Sequence, residues 1–180
     1  MKGITSRPSG ASRGQPEGAQ TRLRRSAATI LFCILAVAGL GRAEAATPQE
    51  LARGEYLARL GDCVACHTAE SGKPLAGGRD LATPFGKLHS TNITPDRETG
   101  IGKYTFAQFD RAMRKGVAAD GHNLYPAMPY PSYAKMTGED MQALYTYLMQ
   151  GLAPVKQANK PTTMRWPFNQ RWGLSLWNWA

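Results

Sequence analysis

The segment Cys63-Val64-Ala65-Cys66-His67 holds two cysteines and a histidine at a spacing that indicates redox, metal-binding or covalent chemistry. Two thiols at this spacing reach the two vinyl groups of a porphyrin from one side, and the next histidine then lies beneath the iron as the proximal ligand. A redox dithiol would need βαβ patterning, which is absent, and a zinc site would have only His89 and His122 as further ligands after residue 45. The motif therefore predicts one haem c, covalently bound through Cys63 and Cys66.

A second iron ligand is predicted at Met128, one of six methionines that follow the motif. It lies in Tyr125-Pro126-Ala127-Met128-Pro129-Tyr130-Pro131, where three prolines forbid a regular helix or a central strand. A methionine on such a stiff loop can present its sulfur to the iron opposite His67. The rivals for this position are His122 and, more weakly, His89. Coordination by histidine and methionine leaves no open position, which favours electron transfer over oxygen or peroxide chemistry.

The other methionines have structural explanations as helix core, hydrophobic staple or polar tail: Met113, Met136, Met141, Met149 and Met164. Around the haem, the carbonyl of Pro74 is a candidate partner for the proximal imidazole, because ligand histidines commonly bond a second group. Weaker candidates for bonding the haem propionates, with equally good explanations as turn or loop residues, are Arg79, Thr91, Asn92 and Tyr130.

Three helices are predicted to position these residues. The first has a capping box at Thr47 and ends at Gly61, the second runs from Thr105 to Gly116, and the third runs from Thr137 to about Met149. No strand-like alternation is present. The long stretches between the helices, 68–103 and 117–135, are rich in Gly, Pro, Asn and Asp, which is typical of loops that wrap a cofactor. The fold class is therefore mostly α, with about three main helices and long loops around one haem.

The first 45 residues are predicted to be an export leader. A basic cluster precedes an apolar run of about 14 residues over 27–40, and Ala43-Glu44-Ala45 provides a small-residue cleavage site. An uncleaved anchor is the alternative. Export also fits the haem motif, because covalent attachment takes place outside the cytoplasm. We therefore expect a signal peptide with an N-terminal extension at 1–45, a haem domain at 46–150 and a tail rich in Pro and Trp at 151–180.

The basic character of the chain comes partly from the predicted leader. Residues 1–45 hold seven of the 22 Lys and Arg and two of the 13 Asp and Glu, so the formal charge of +9 falls to +4 without them. A mildly basic surface suits docking to acidic proteins. No basic stripe interleaved with aromatic residues is present, so nucleic acid is not an expected partner.

The segments Gly54-Glu55-Tyr56-Leu57 and Leu144-Tyr145-Thr146-Tyr147-Leu148, together with the haem motif, resemble the class I cytochrome c pattern. In that pattern the first and last helices cross through a small residue and an aromatic. Further segments resemble, more specifically, the first haem domain of the cytochrome c subunit of bacterial membrane-bound dehydrogenases for alcohols, gluconate, sorbitol or aldehydes. These are residues 61–68, 90–96, 100–102, 111–117 and 124–133. The resemblance implies that Met128 is the sixth iron ligand.

The resemblance also implies a function. We expect a periplasmic electron carrier, with no substrate chemistry of its own, that takes electrons from a dehydrogenase subunit and passes them to a quinone or oxidase pathway. Association with the inner-membrane surface is a further expectation, since tail tryptophans suit a membrane interface. The alternative is a haem enzyme or gas-binding module with an open sixth site. Because such subunits usually carry three haems, the single motif indicates either a one-haem relative or part of a longer subunit.

Overall fold

The computed structural model describes Gly3 and residues 45–179, so the predicted export leader lies almost wholly outside the described residues. Ala45 and the residues after it form a compact unit. Its helices are α1 (Pro48–Leu60), α2 (Cys63–His67), α3 (Phe106–Lys115), α4 (Tyr130–Tyr133), α5 (Gly138–Thr146), a π-helix (Tyr147–Gly151), a 3-10 helix (Arg171–Gly173) and α6 (Leu174–Trp179). Its strands are β1 (Asp80–Thr83), β2 (Gly86–His89) and β3 (Thr163–Met164).

The three longest described helices begin at the capping residues that the sequence predicts. Thr47 accepts a hydrogen bond from the Glu50 backbone, and the Glu50 carboxylate accepts one from Thr47 in return. Thr105 forms the same box at the start of α3, which ends at Gly116 in the left-handed conformation. Thr137 caps α5. These helix positions are confirmed, except that the third helix changes to a π-helix after Thr146.

Helices α1 and α5 cross at Gly54, as the family pattern implies. A Cβ atom at this position would lie 2.2 Å from the carbonyl oxygen of Ala143 and 2.4 Å from the Cβ atom of Tyr147. No side chain fits in that space, so glycine permits the two backbones to touch. Next to the crossing, the apolar core continues through buried residues including Leu57, Met141, Leu144 and Leu148.

A small antiparallel sheet has the strand order β1-β2-β3, with β1 and β2 in the predicted loop 68–103 and β3 in the predicted tail. Asp80 pairs with His89 at one end of the hairpin, and Thr83 pairs with Gly86 at the other. Strand β3 adds Thr163 and Met164 to the edge of β2. The expectation of no strands is therefore wrong. Strands of four, four and two residues are too short for alternation to be recognised, and β3 pairs with a segment far away in the sequence.

Residues 155–171, which we call the C-terminal strap, pack on this unit through a buried asparagine. Asn92 is 1% exposed, and its amide nitrogen donates to the carbonyl oxygen of Val155 at 2.7 Å. The Asn92 backbone nitrogen donates to the Asn159 side chain at 2.7 Å. Gln157 donates from its side chain to the Ala76 carbonyl at 2.8 Å. The tail therefore folds against the haem-motif region instead of extending away from it.

No helix in the part of the chain that the structure describes has the length and apolar character to cross a membrane.

Candidate functional site

The haem motif forms a short helix of its own, α2, directly after α1. Asp62 adopts the left-handed conformation at φ 55°, which breaks the chain direction between Gly61 and Cys63. Residues at i and i+3 share one face of a helix, so the thiols of Cys63 and Cys66 lie on the same side. No disulfide joins these two cysteines. Burial raises the pKa of the Cys63 thiol to about 11, so this group is protonated at neutral pH.

The imidazole of His67 is oriented by a backbone carbonyl. Its Nδ1 atom lies 2.6 Å from the carbonyl oxygen of Thr91. A carbonyl only accepts, so Nδ1 carries the proton and Nε2 presents a lone pair. Burial lowers the pKa of His67, which favours the neutral ring that binds metals. Pro74 was the wrong candidate for this partner, because the loop brings Thr91 to the ring instead.

A cleft of about 440 Å³ brings the predicted site residues together. Cys63, Cys66, His67 and Met128 all line it. Its volume lies within the range of pockets that bind small molecules and cofactors. Most of the remaining lining is apolar and comes from all parts of the unit: Leu81, Leu88, Ile93, Ile101, Phe109, Met113, Leu144 and Leu148. The cleft can therefore enclose a large flat apolar group between His67 and other donors.

Backbone hydrogen bonds on both sides of Met128 stabilise the turn that carries it. The Met128 backbone nitrogen donates to the Tyr125 carbonyl at 3.1 Å, and the Met128 carbonyl accepts from Tyr130 at 2.8 Å. Beyond Met128, the Tyr133 hydroxyl donates to the Gly61 carbonyl at 2.7 Å. That bond joins the segment that follows Met128 to Gly61, two residues before the haem motif. Burial raises the pKa of Tyr133 to about 12, so it remains a donor at neutral pH.

Arg114 attaches the other side of the loop to α3. Its guanidinium donates to the carbonyls of Ala134 and Met136, both at 2.8 Å. The Nε atom donates to Asp110 at 2.6 Å, one helical turn earlier. Neither Arg114 nor Tyr133 was a sequence candidate for the site. The signal that could have found them is their position within two segments that carry the family resemblance, 111–117 and 124–133.

The rival donors also lie at the cleft, although each has another partner or role. The Nδ1 atom of His89 lies 2.9 Å from Asp80, and that of His122 lies 2.6 Å from Asp120. Met113 lines the cleft from α3 as a core residue that is 6% exposed. The other methionines do not line it: Met136, Met141, Met149 and Met164.

Most of the residues predicted to bond the haem propionates lie outside the cleft. Asn92 is engaged with Thr94 and the strap, and neither it nor Arg79 nor Tyr130 lines the cleft. Tyr130 is buried with its ring against Gly116. Thr91 does line the cleft, but its carbonyl is bonded to His67. The strap also lines one side of the cleft, which no sequence pattern indicated. Its lining residues are Asn159, Lys160, Pro161, Thr162 and Arg171.

The donor set fits a covalently attached haem. Two protein thiols on one helical face, a neutral imidazole beside them and a thioether on a separate loop surround an apolar space. Within the described residues, no group of three or more His, Cys, Asp or Glu side chains is arranged to hold a metal ion without such a cofactor. Residues Cys63, Cys66, His67 and Met128 are the ones that could hold it.

Comparison with known proteins gives the family. Residues 51–151 match the model of the cytochrome c family. This is more than half of the chain, so the protein belongs to that family, whose members carry covalently bound haem c.

Several relatives are much longer than this chain. This chain is 60% identical over 125 residues to the gluconate 2-dehydrogenase cytochrome c subunit of Pantoea cypripedii. The matched region covers 69% of this chain and 28% of the relative. The chain is 51% identical over 156 residues to the alcohol dehydrogenase (quinone) cytochrome c subunit of Gluconacetobacter polyoxogenes, covering 87% and 33%. The fructose dehydrogenase cytochrome subunit of Gluconobacter japonicus is 42% identical over 163 residues, covering 86% and 34%. The chain thus spans about a third of each relative.

Proposed function

We propose that this protein is an electron carrier with one haem c and no substrate chemistry of its own. Cys63 and Cys66 would bind the haem covalently, His67 would be the proximal iron ligand and Met128 the distal one. The observation that carries the proposal is the single cleft that all four side chains line. We further infer a class I cytochrome c fold in which the stretches 68–103 and 117–135, with their short strands and helix, would wrap around the haem.

A bound haem supplies an iron that is reversibly oxidised and reduced by one electron. The chain's own residues keep its coordination constant during that change. The Thr91 carbonyl orients His67 through the bond to Nδ1. Arg114 and Tyr133 hold the Met128 loop from two sides. With His67 and Met128 both as ligands, a bound haem would have no open position for oxygen or peroxide, which favours electron transfer.

The partners follow from the names of the relatives. Three of them are cytochrome subunits of gluconate, alcohol and fructose dehydrogenases. We infer that a dehydrogenase subunit is the electron donor here and that a quinone or oxidase pathway is the acceptor. We place the protein in the periplasm, associated with the inner-membrane surface, after export by the leader at 1–45. The haem domain at 46–150 and the tail at 151–180 would form the exported part.

The test is the optical spectrum of the exported, reduced holoprotein before and after addition of carbon monoxide. Wild type should not respond, because Met128 occupies the sixth position, whereas Met128→Ala should bind the gas. Met164→Ala is the control, since this methionine lies in β3 and not at the cleft. His89→Ala and His122→Ala test the rival donors and should resemble wild type. If wild type binds carbon monoxide readily, the iron is open, and the haem-enzyme or gas-binding function replaces electron transfer.

A further inference from the structure

Two permanently cationic side chains line the cleft, and both belong to the C-terminal strap. Among the described lining residues, Lys160 and Arg171 are the only lysine and arginine, and Asp62 is the only carboxylate. Asp62 lies next to Cys63 in the haem motif, whereas the cations come from a segment about a hundred residues later. The strap therefore gives the otherwise apolar cleft a positively charged wall.

Lys160 has no strong partner of its own. Its ammonium lies 3.4 Å from the Gly78 carbonyl and 3.8 Å from a carboxylate oxygen of Asp80. Asp80 already accepts from Lys87 at 3.0 Å and contacts His89 at 2.9 Å. The closer partners of Asp80 leave the charge of Lys160 largely uncompensated.

Arg171 is held firmly but without a carboxylate. Its Nη1 atom donates to the Asn123 carbonyl at 3.0 Å, and its guanidinium lies 4.7 Å from the centre of the Tyr125 ring. Among the residues that the structure describes, no carboxylate forms an ion pair with it. A guanidinium has five N–H donors, so most of them remain for another acceptor.

The strap that carries these cations is fixed on both sides of Lys160. On one side, Asn92 and Gln157 bind it to the loop that follows the haem motif. On the other, β3 pairs with β2, and the Arg165 backbone donates to the Phe85 carbonyl at 2.8 Å. Farther along, the ring of Phe168 stacks on Phe85 at 3.9 Å. The two cations are therefore held at the cleft by the fold.

We propose that Lys160 and Arg171 are the cationic partners of the two propionate groups of the haem. This rests on the proposed function, since it requires a haem in the cleft. Haem is apolar except for two carboxylates, and a carboxylate taken into an apolar site needs a charged or hydrogen-bonding partner. Charge-assisted bonds from lysine and arginine are among the strongest that proteins form. The strap thereby closes the cleft with the charges that the propionates require.

The pairing has a measurable effect on the iron. Ferric haem carries one more positive charge than ferrous haem, so a cation near the propionates disfavours the ferric form and raises the reduction potential. Without the cation, the uncompensated propionate stabilises the ferric form and the potential falls. The fall depends on the charge of the side chain and is insensitive to small changes in its shape.

The experiment measures the reduction potential of the exported holoprotein by equilibrium redox titration, in wild type and in the variants Lys160→Gln and Arg171→Gln. At the wild-type midpoint potential, each variant should increase the ratio of oxidised to reduced haem about ten-fold. For a one-electron couple this corresponds to a reduction potential lower by about 59 mV. Lys160→Arg and Arg171→Lys keep the charge and should restore the wild-type potential. Lys156→Gln and Arg165→Gln remove the same charge from the same strap, but neither residue lines the cleft, so their shifts should be much smaller.

Each outcome bears on the proposal directly. Larger downward shifts for the two cleft variants, reversed by the charge-conserving substitutions, support it. Shifts no larger than those of the two controls overturn it, and so does a Lys160→Arg variant that behaves like Lys160→Gln. Should Arg171→Gln fail to fold, the Lys160 series alone still decides. A wild type that exports without covalent haem would refute the proposed function instead, and the carbon monoxide experiment detects that separately.

Discussion

The helix crossing at Gly54 and the C-terminal strap fix two distant segments to the same unit by different interactions. At the crossing, backbones of α1 and α5 touch with no room for a Cβ atom, and the neighbouring side chains are apolar. The strap is bound by side-chain amides such as Asn92, which donate to backbone carbonyls of an extended segment. Close packing cannot open in part, whereas a row of hydrogen bonds can be lost locally.

This difference separates stability from access to the cleft. We expect changes at the crossing to affect unfolding of the whole unit. Changes at the strap should first expose the wall of the cleft that Lys160 and Arg171 line.

Gly54→Ala should destabilise the whole unit by about 3 kcal/mol, because the added methyl group meets the Ala143 backbone and cannot be accommodated by a rotamer change. Urea unfolding of the holoprotein measures this as a lower midpoint. Gly138→Ala is the matched control, since nothing lies within 4 Å of its Cβ position, and it should leave the midpoint nearly unchanged. Equal midpoints for the two variants would show that the helices are free to move apart.

Asn92→Ala should lower the free energy of unfolding by about 2 kcal/mol, because it removes the buried partner of the Val155 carbonyl and of Thr94. Limited proteolysis should cut the strap sooner than in wild type while residues 48–151 resist. Asn169→Ala changes an exposed asparagine of the same strap and should be cut at the wild-type rate. Simultaneous loss of the strap and of residues 48–151 would mean that the two regions unfold as one.

Acid should loosen the strap through Asp96, because the Thr99 hydroxyl that donates to this carboxylate also accepts from the backbone N–H of Gln157 in the strap. The hydroxyl and backbone N–H of Thr99 donate to this carboxylate and hold its pKa below the ordinary value of 3.8. A lowered pKa in the folded state adds stability that is present above the unfolded-state pKa and is lost as the pH falls through the folded-state pKa. Between pH 5 and pH 3, proteolysis of the strap should therefore accelerate, and less so in Asp96→Asn.

Glu50→Gln provides the comparison in the helical region. Bonds to Thr47 likewise lower the pKa of Glu50, but at the start of α1. Its substitution should leave the acid sensitivity of the strap unchanged. A reduced sensitivity in Glu50→Gln would contradict the independence of the two regions. Glu50 is exposed and Asp96 is only partly buried, so these effects are the smallest of the series.

Local sequence signals predicted well where the three longest described helices begin. Thr47, Thr105 and Thr137 cap their helices by bonds to residues three positions on, so the information lies within one turn. The haem motif is equally local, since its two thiols share one helical face. Membership in the cytochrome c family confirms the resemblance that these segments indicated. The axial role of Met128 stays a prediction, supported by its place at the cleft.

Apart from the short β1–β2 hairpin, the features that were missed or misassigned depend on distant segments. The Thr91 carbonyl reaches His67 across 24 residues, while Pro74 is nearer in sequence but is not the partner. Strand β3 meets β2 only after the chain has passed through α3 and α5. Asn92 was a candidate for the haem, yet its bonds run to Val155 and Gln157.

By itself, the sequence determined which atoms are available for chemistry and where the main helices begin and end. Spacing within a few residues controls helix caps and the shared face of two thiols, and a reader of the sequence sees that spacing directly. The tertiary structure decided which distant groups meet: the carbonyl that orients His67, the bonds that hold the Met128 loop and the strap that brings Lys160 and Arg171 to the cleft. Those contacts form between hydrogen-bonding and charged groups of ordinary loop residues, whose partners become defined only when the chain has folded.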